Sequence, residues 1–391
     1  MIKTTEMLRY EKLGNIIRDN SHHFFKNLNT LFEYIKILDK LNPFQLEITQ
    51  LYEDIISDPT IFNEVIDIAW PYEEKEWKRG SIEAKNYENF DQNAIYVSYN
   101  QLDLSKEVLP PFKIYEISIC KEKNRKTEIE NFFSLKFQEK QSQIHSFLGK
   151  RETVAEDLVH IQNIILEEIG NNVYEYLSEN VCFLFVEFSL SCQEVFELTK
   201  KEYDTLFEST QNFLSTLRSY NVIPVSLYNG NTSPFLSALV KYFEIKKEEL
   251  FPNFPISKEL LNYINDKLFF LGKLEKFHRS PFLNYTNFIF EENPYLREKI
   301  GIFYIKYDLN SIRRIEVPIF GIDYIDQIHS ILVKESKKSR RNKEEMHCLS
   351  RAKRNLITRK KEKVVKYIDT ILRKESVKSL KKELGLIKGI Y

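Results

Sequence analysis

The sequence of 391 residues predicts a mixed α/β fold in which a sheet is flanked by helices. The apolar run at 181–187 does not alternate, as expected of a strand buried on both faces. A helical pattern over about 194–219 separates this run from a second apolar strand at 222–227. Two earlier segments, 94–98 and 112–119, also have strand character. Strands and helices in this order are typical of a sheet covered by helices.

The other elements are predicted in chain order. Leu28, Leu31, Ile35 and Leu38 recur at spacings of three and four, which indicates helices within 1–90. We also predict a strand within 128–137, a helix over 140–178, a helix beginning at Ser233-Pro234, paired strands within 302–317, and helices from 323 to the end. The resulting regions are an N-terminal helical region (1–90), an α/β domain (91–333), and basic C-terminal helices (334–391) that pack on the domain.

Composition excludes several classes of function. The four cysteines contain no Cys-x-x-Cys pair, so the sequence signals neither a zinc site nor a disulfide framework. Cys182 and Cys192 flank an apolar run, and we expect them to be core thiols. Nucleotide-binding glycine loops and the usual serine-hydrolase and zinc-protease motifs do not occur. No apolar run reaches the ~20 residues of a membrane span, and the N-terminal residues show no charged-then-apolar signal pattern. We expect a cytoplasmic protein without a membrane partner.

Charge is distributed unevenly along a chain whose net charge is zero. Residues 334–391 carry 20 Lys and Arg against 7 Asp and Glu, a net charge of +13, so the preceding residues carry −13. Such asymmetry indicates a basic segment that meets an acidic partner, either a nucleic acid, another protein or the body of this chain. A solvated, lysine-rich helical surface is the other interpretation.

Six short motifs occur in order between about 90 and 375. They are Tyr96-Val-Ser-Tyr-Asn-Gln101, Lys150-Arg151 with Glu156, Phe185-Val-Glu-Phe-Ser-Leu190, Asp266-Lys-Leu-Phe-Phe with Arg279-Ser-Pro-Phe282, Arg314-Ile-Glu-Val-Pro318, and Leu349-Ser-Arg-Ala-Lys353. In this order they resemble motifs of the NurA family of DNA end-processing nucleases. The resemblance implies an RNase H-like fold, a role in DNA repair, a HerA-type hexameric ATPase as partner, and a homodimer.

The resemblance also implies five site positions, some of them acidic metal ligands, and most of these positions are altered. Glu156 is retained, Glu187 replaces an aspartate, Ser98 stands at another carboxylate position, Glu345 replaces a tyrosine, and Lys353 replaces a histidine. Hard cations such as Mn²⁺ and Mg²⁺ need charged oxygen ligands, and a hydroxyl is a poor substitute. We predict that Glu156 and Glu187 face each other in a cleft as the remaining catalytic and metal-binding carboxylates. Ser98 would lie on the neighbouring strand, and Lys353 would approach from the C-terminal helix.

Two functions remain open. The first is a DNA-binding subunit with reduced or lost nuclease activity, for which the predicted DNA-binding residues are Arg151, Arg279, Arg340, Arg341 and Lys353. The second is an active nuclease that uses Mn²⁺ or Mg²⁺ through a rearranged carboxylate site. Candidate replacement ligands are Asp103, or His329 with Asp323 and Asp326.

Overall fold

The structure is a computed structural model that describes residues 15, 18, 19, 67–85, 94–104, 112–123, 126–137, 154–171, 181–192, 200–228, 233–245, 265–287, 299–339, 346–368, 370 and 371. The strands in these segments are β1 (Asp67–Pro71), β2 (Ala94–Asp103), β3 (Phe112–Lys123), β4 (Lys126–Phe137), β5 (Cys182–Val186), β6 (Val222–Ser226), β7 (Leu283–Asn287), β8 (Ile300–Asp308) and β9 (Ser311–Pro318). The helices are α1 (Glu74–Arg79), α2 (Val154–Asn171), α3 (Lys200–Ser219), α4 (Pro234–Ile245), α5 (Asp266–Lys273), α6 (Ile325–Lys338), α7 (His347–Asn355) and α8 (361–368).

The chain forms two compact units, and β1, α1, α4, α5 and β7 belong to the first. Here β1 and β7 pair in antiparallel fashion. Asp266 is buried, and its carboxylate accepts the backbone N–H groups of Phe235 and Leu236 at 3.0 and 2.8 Å. A carboxylate at a helix N-terminus satisfies N–H groups that have no partner within the helix. β1 corrects the helical prediction for this part of 1–90, because pairing with β7 outweighs local propensity.

The second unit contains a mixed sheet with the strand order β8-β9-β6-β5-β2-β3-β4. β2, β3 and β4 are consecutive antiparallel strands, whereas β5 pairs in parallel with both β2 and β6. The predicted fold class, a mixed sheet flanked by helices, is therefore confirmed. β5 is buried along its whole length, as its unbroken apolar sequence predicts.

The two faces of the sheet carry different helices. Asp157 of α2 contacts Lys113 at 3.2 Å and Tyr115 at 2.6 Å, which are odd-numbered residues of β3. Even-numbered Glu116 instead accepts a hydrogen bond from the backbone of Ile357, just after α7. Because successive side chains of a strand point to opposite faces, α2 and α7 lie on opposite sides of the sheet.

The C-terminal part is less continuous than predicted. We expected helices from 323 to the end, but residues 319–324 form a 3₁₀ helix and residues 356–360 form a turn between α7 and α8. Leu356 and Thr358 are buried within this turn, so tertiary contacts hold it. The predicted strand pair within 302–317 is confirmed as β8 and β9.

The interior of the second unit is largely apolar. Tyr96 of β2 stacks on Phe185 of β5 with ring centroids 4.9 Å apart. All four cysteines are free and buried, so the core thiols expected at Cys182 and Cys192 are confirmed. In the parts of the chain that the structure describes, no helix is both long and apolar enough to cross a bilayer.

Candidate functional site

Neighbouring parallel strands bring Ser98 and Glu187 together. Tyr96 of β2 is paired with Phe185 of the parallel strand β5. The residues two positions after each of them therefore lie side by side on one face of the sheet. These residues are Ser98 and Glu187, and Glu187 directly follows the end of β5. The Ser98 hydroxyl donates a hydrogen bond of 3.0 Å to Oε2 of Glu187. Ser98 and Glu187, which the resemblance assigns to one site, are therefore in direct contact.

Helix α7 brings Lys353 to the same carboxylate. Leu349 and Ala352 are buried on the face of α7 that packs on the sheet, and Lys353 follows Leu349 by four residues, which places it beside that face. Lys353 Nζ lies 2.5 Å from Oε1 of Glu187. The side chains of Lys353 and Glu187 are 21% and 17% exposed, so the ion pair is shielded but not sealed from water. Ser98, Glu187 and Lys353 thus converge as the resemblance implied.

The donor set at Glu187 does not fit a divalent cation. One carboxylate oxygen faces an ammonium group and the other accepts from a hydroxyl. Within the described segments, no group of three or more His, Cys, Asp and Glu side chains could hold a metal ion. A divalent cation about 4 Å from an ammonium would meet a repulsion of about 8 kcal/mol at an effective dielectric constant of about 20. Movement of the lysine would relieve part of this, yet a residual of about 2 kcal/mol already weakens binding about 30-fold.

Glu156 lies elsewhere. Its carboxylate pairs with Lys136 of β4 at 3.4 Å, and the Glu156 side chain is 53% exposed. Lys136 is paired with Lys113, so both point to the α2 face of the sheet, whereas Glu187 contacts α7 on the other face. This geometry corrects the expectation that Glu156 and Glu187 face each other in one cleft. Their positions do not support a metal ion held jointly by both carboxylates.

Arg279 is the one described arginine among the predicted DNA-binding residues. Its side chain is 1% exposed, and its Nη2 donates to Oδ1 of Asp326 at 2.8 Å. This corrects the prediction that Arg279 binds DNA, because a buried and paired guanidinium presents no surface to a nucleic acid. The predictions for Arg151, Arg340, Arg341 and Glu345 lie outside the described residues.

The alternative ligands near α6 serve structural contacts instead. His329 is buried, and its Nε2 lies 2.9 Å from the carbonyl oxygen of Phe277. Burial, together with the charge of Arg279, lowers the pKa of His329 to about 3. Asp326 pairs with Arg279 and Lys85. Although burial alone would raise the pKa of Asp326, these hydrogen bonds lower it. The carboxylate is therefore engaged by two cations and does not join His329 in a ligand set.

Glu316 is a buried carboxylate that the sequence analysis named only as part of a motif. Arg314 Nη2 lies 2.9 Å from Oε1 of Glu316, and the two side chains are 1% and 0% exposed. Oε2 accepts the backbone N–H groups of Leu190 and Ser191 at 2.8 and 3.2 Å. The hydroxyl groups of Ser189 and Ser191 also donate to this carboxylate. Glu316 therefore fixes the loop that directly follows Glu187.

Glu116 is a second functional candidate that the sequence analysis did not recognise. It is fully buried on the α7 face of β3, directly opposite Asn100 of β2. Its carboxylate accepts from the backbone N–H groups of Ile357 and Thr358 at 2.9 and 2.8 Å. The sequence signal that could have identified Glu116 is a carboxylate between apolar residues in a strand of a sheet covered by helices. Such a residue is rarely buried unless it is paired or hydrogen-bonded.

A basic surface continues from the Lys353 site. Residues 351–368 contain eight Lys and Arg and one Glu. Seven of the basic residues are exposed, namely Arg351, Arg354, Arg359, Lys360, Lys361, Lys363 and Lys366. This set, termed the basic surface below, comes from α7, the 356–360 turn and α8. A cluster of like charges on one surface produces a field that attracts polyanions.

Comparisons with known proteins give structural neighbours only, since no family model and no curated protein matches the sequence. The chain is similar to the NurA nuclease from Sulfolobus solfataricus, with 12% identity and a TM-score of 0.45 over 87% of this chain and 98% of that chain. It is also similar to NurA bound to dAMP and manganese, with 9% identity and a TM-score of 0.30 over 86% and 93% of the two chains. NurA with manganese gives 10% identity and a TM-score of 0.29 over 85% and 96%. Identities and TM-scores this low assign no function to this chain.

Proposed function

We propose that this protein is a NurA-like DNA-binding subunit in which an internal ion pair takes the place of a metal centre. The contact that carries the proposal is the 2.5 Å distance between Lys353 Nζ and Glu187 Oε1. An ammonium supplies the positive charge that a carboxylate would otherwise receive from a divalent ion. It cannot activate a water molecule for hydrolysis in the way that a Lewis acid does. Intrinsic metal-dependent cleavage is accordingly reduced or lost.

DNA binding is supported by the charge around the ion pair. The basic surface carries exposed guanidinium and ammonium groups on both sides of the turn that follows α7. Contacts between such groups and phosphates release counterions and give affinity without reading the base sequence. Lys353 stays close to this surface and is itself 21% exposed. We expect binding that depends strongly on salt and weakly on sequence.

The proposed assembly follows from the resemblance and from the missing metal chemistry. A subunit without intrinsic cleavage needs another component to act on DNA, and a HerA-type hexameric ATPase is the partner that the resemblance implies. We also propose a homodimer, because the resemblance implies one. Sedimentation of the protein alone and with a HerA-type ATPase encoded in the same genome tests both statements. A monomer that does not co-sediment with the ATPase would contradict them.

The decisive experiment compares the natural protein with a variant whose metal ligands are restored. The variant combines Ser98→Asp, Glu187→Asp and Lys353→His, and Mn²⁺ binding to both proteins is measured by calorimetry. We expect weak or undetectable binding by the natural protein and tighter binding by the triple variant, because the variant removes an ammonium and adds a carboxylate. Lys136→His, which changes a lysine on the other sheet face, is the matched control.

A nuclease assay with Mn²⁺ on linear DNA completes this test. Strong cleavage by the natural protein, abolished by Glu187→Ala, would overturn the proposal and favour an active nuclease with a rearranged site. DNA binding is measured separately by fluorescence anisotropy at several salt concentrations. Absence of binding at low salt would contradict the DNA-binding role whatever the result of the cleavage assay.

A further inference from the structure

We propose that Glu116 is a positioning residue that holds Lys353 and the basic surface in place through the turn at 356–360. The carboxylate is 0% exposed and receives four hydrogen bonds. Oε1 accepts from Ile357 N at 2.9 Å and from Asn131 Nδ2 at 2.8 Å. Oε2 accepts from Thr358 N at 2.8 Å and from Thr358 Oγ1 at 2.7 Å. Charge-assisted bonds of this kind are the stronger class of hydrogen bond in proteins.

The turn is attached to three adjacent strands rather than to Glu116 alone. Asn100 of β2 donates to Thr358 Oγ1 at 2.9 Å. Oδ1 of Asn131 in β4 accepts a hydrogen bond of 2.8 Å from the side-chain amide of Asn355, the last residue of α7. Glu116 of β3 lies between these two asparagines, since it is paired with Asn100 on one side. The carboxylate is therefore the centre of a polar network that fixes the end of α7.

The same turn sets the direction of α8. Val364, Val365 and Ile368 pack against an apolar cluster formed by Leu102, Leu104 and Ile114 of the sheet region. The helix begins three residues after Thr358, so the turn decides which side of α8 meets this cluster. With that side buried, Lys363 and Lys366 are exposed. Loss of the turn would free α8 to present its charges in many orientations.

Helix α7 is held by buried carboxylates at both ends. Near its start, Oε2 of Glu335 accepts from the backbone N–H of Cys348 at 3.0 Å. After its end, Glu116 accepts from Ile357 and Thr358. Lys353 lies between these two fixed points and reaches Glu187 from there. Glu116 itself does not contact Glu187, because two strand spacings and two residues along the strand separate them by about 10 Å or more.

A metal-binding role for Glu116 is less consistent with its contacts. Both of its oxygen atoms are occupied by donors from the protein, and in the described parts of the chain it belongs to no group of potential metal ligands. A purely stabilising role makes a different prediction from a positioning role. Only positioning links Glu116 to the number of phosphates that the basic surface contacts.

The test uses Glu116→Gln in the full-length protein. Glutamine keeps the shape but replaces one acceptor oxygen with an NH₂ group that opposes the donors of the turn. Hydrogen exchange is measured first, without DNA. We expect amides in 356–371 to exchange about tenfold faster or more, with little change in β5. Thr358→Val, which removes one donor, is a milder second variant that keeps the test valid where glutamine prevents folding.

The second measurement uses DNA binding and so depends on the proposed function. The slope of log affinity against log salt is determined for the natural protein, for Lys360→Gln with Lys363→Gln, for Glu116→Gln, and for all three changes together. The lysine changes should reduce the slope by about 1.8 in the natural background. In the Glu116→Gln background the same changes should reduce it by less than half of that.

Asp266→Asn is the matched control, because Asp266 is also a buried carboxylate that accepts two backbone N–H groups. In that background the lysine changes should keep their full effect on the slope. Equal effects of the lysine changes in the natural protein and in Glu116→Gln would overturn the proposal. Unchanged hydrogen exchange over 356–371 in Glu116→Gln would also overturn it. If the natural protein binds no DNA, the proposed function fails, and the exchange result still decides whether Glu116 holds the turn.

Discussion

Two carboxylate–cation pairs of the second unit have opposite surroundings. The side chains of Arg314 and Glu316 are 1% and 0% exposed. Besides Arg314, backbone N–H groups and serine hydroxyls donate to the Glu316 carboxylate. Lys353 and Glu187 are 21% and 17% exposed, with one serine hydroxyl as an additional donor. A fully buried ion pair has a structural role, because loss of one partner leaves an uncompensated buried charge. A pair open to water keeps the freedom to exchange partners, which a ligand-binding site requires.

The largest expected effect is the difference in free energy of unfolding between variants of these two pairs. Glu316→Ala should lower the free energy of unfolding by about 3–5 kcal/mol, because it leaves the buried Arg314 guanidinium uncompensated and removes the acceptor for the 189–191 loop. Glu187→Ala should cost less than about 2 kcal/mol, since water can reach Lys353. Urea denaturation of both variants measures the difference. Equal losses would show that the Glu187 pair is as structural as the Glu316 pair.

His329 sharpens the comparison, since it is a buried basic group kept neutral rather than paired. Its pKa of about 3 in the folded protein lies below the ordinary value of 6.5. Between these values the unfolded chain binds a proton that the folded chain does not. The contribution of His329 to the free energy of unfolding is therefore fully present above pH 6.5. It falls as the pH drops towards 3, by at most about 1.4 kcal/mol per pH unit.

Urea unfolding from pH 7 to pH 5 checks this slope against His329→Gln. The variant cannot take up a proton at this position, so its stability should depend less on pH in that interval. Identical slopes for the two proteins would contradict a neutral, buried His329.

Lys353→Met tests the open pair directly. The variant keeps an apolar stem of similar length but removes the ammonium beside Glu187. We expect Mn²⁺ to bind about tenfold more tightly, while the free energy of unfolding changes by less than about 1.5 kcal/mol. Calorimetry and urea denaturation give the two values. Lys136→Met is the control, and unchanged Mn²⁺ affinity in Lys353→Met would refute competition between the lysine and the metal.

The smallest expected effect concerns Glu156. Its pair with Lys136 is largely exposed, so Glu156→Gln should change the free energy of unfolding by no more than about 1 kcal/mol. DNA binding at a given salt concentration should also stay nearly constant, because Glu156 lies on the sheet face away from the basic surface. Loss of metal binding or of any detected cleavage in this variant would restore Glu156 to the site.

Much of the sheet could be predicted because local patterns coincide with tertiary demands. The apolar run that forms β5 is buried on both faces, and its composition alone indicates this. The approach of Lys353 to Glu187 was implied by the resemblance of their motifs to those of a known family, and the structure brings the two side chains together. β1 was missed because a short segment pairs with a strand more than 200 residues away, which no local pattern reports.

The sequence by itself determined the class of fold, the unbroken core strands, the presence of Ser98 and Lys353 where the resemblance implies a carboxylate and a histidine, and the concentration of basic residues after 334. Tertiary structure alone decided which carboxylates share a face of the sheet. Alternation along a strand assigns each residue to one of two faces, but the choice of helix that covers each face depends on long-range packing. That choice put α2, and with it Glu156, on the face of the sheet away from Glu187, and it placed Glu187 beside Lys353. It also buried Glu116 and Glu316 where backbone donors distant in sequence satisfy them.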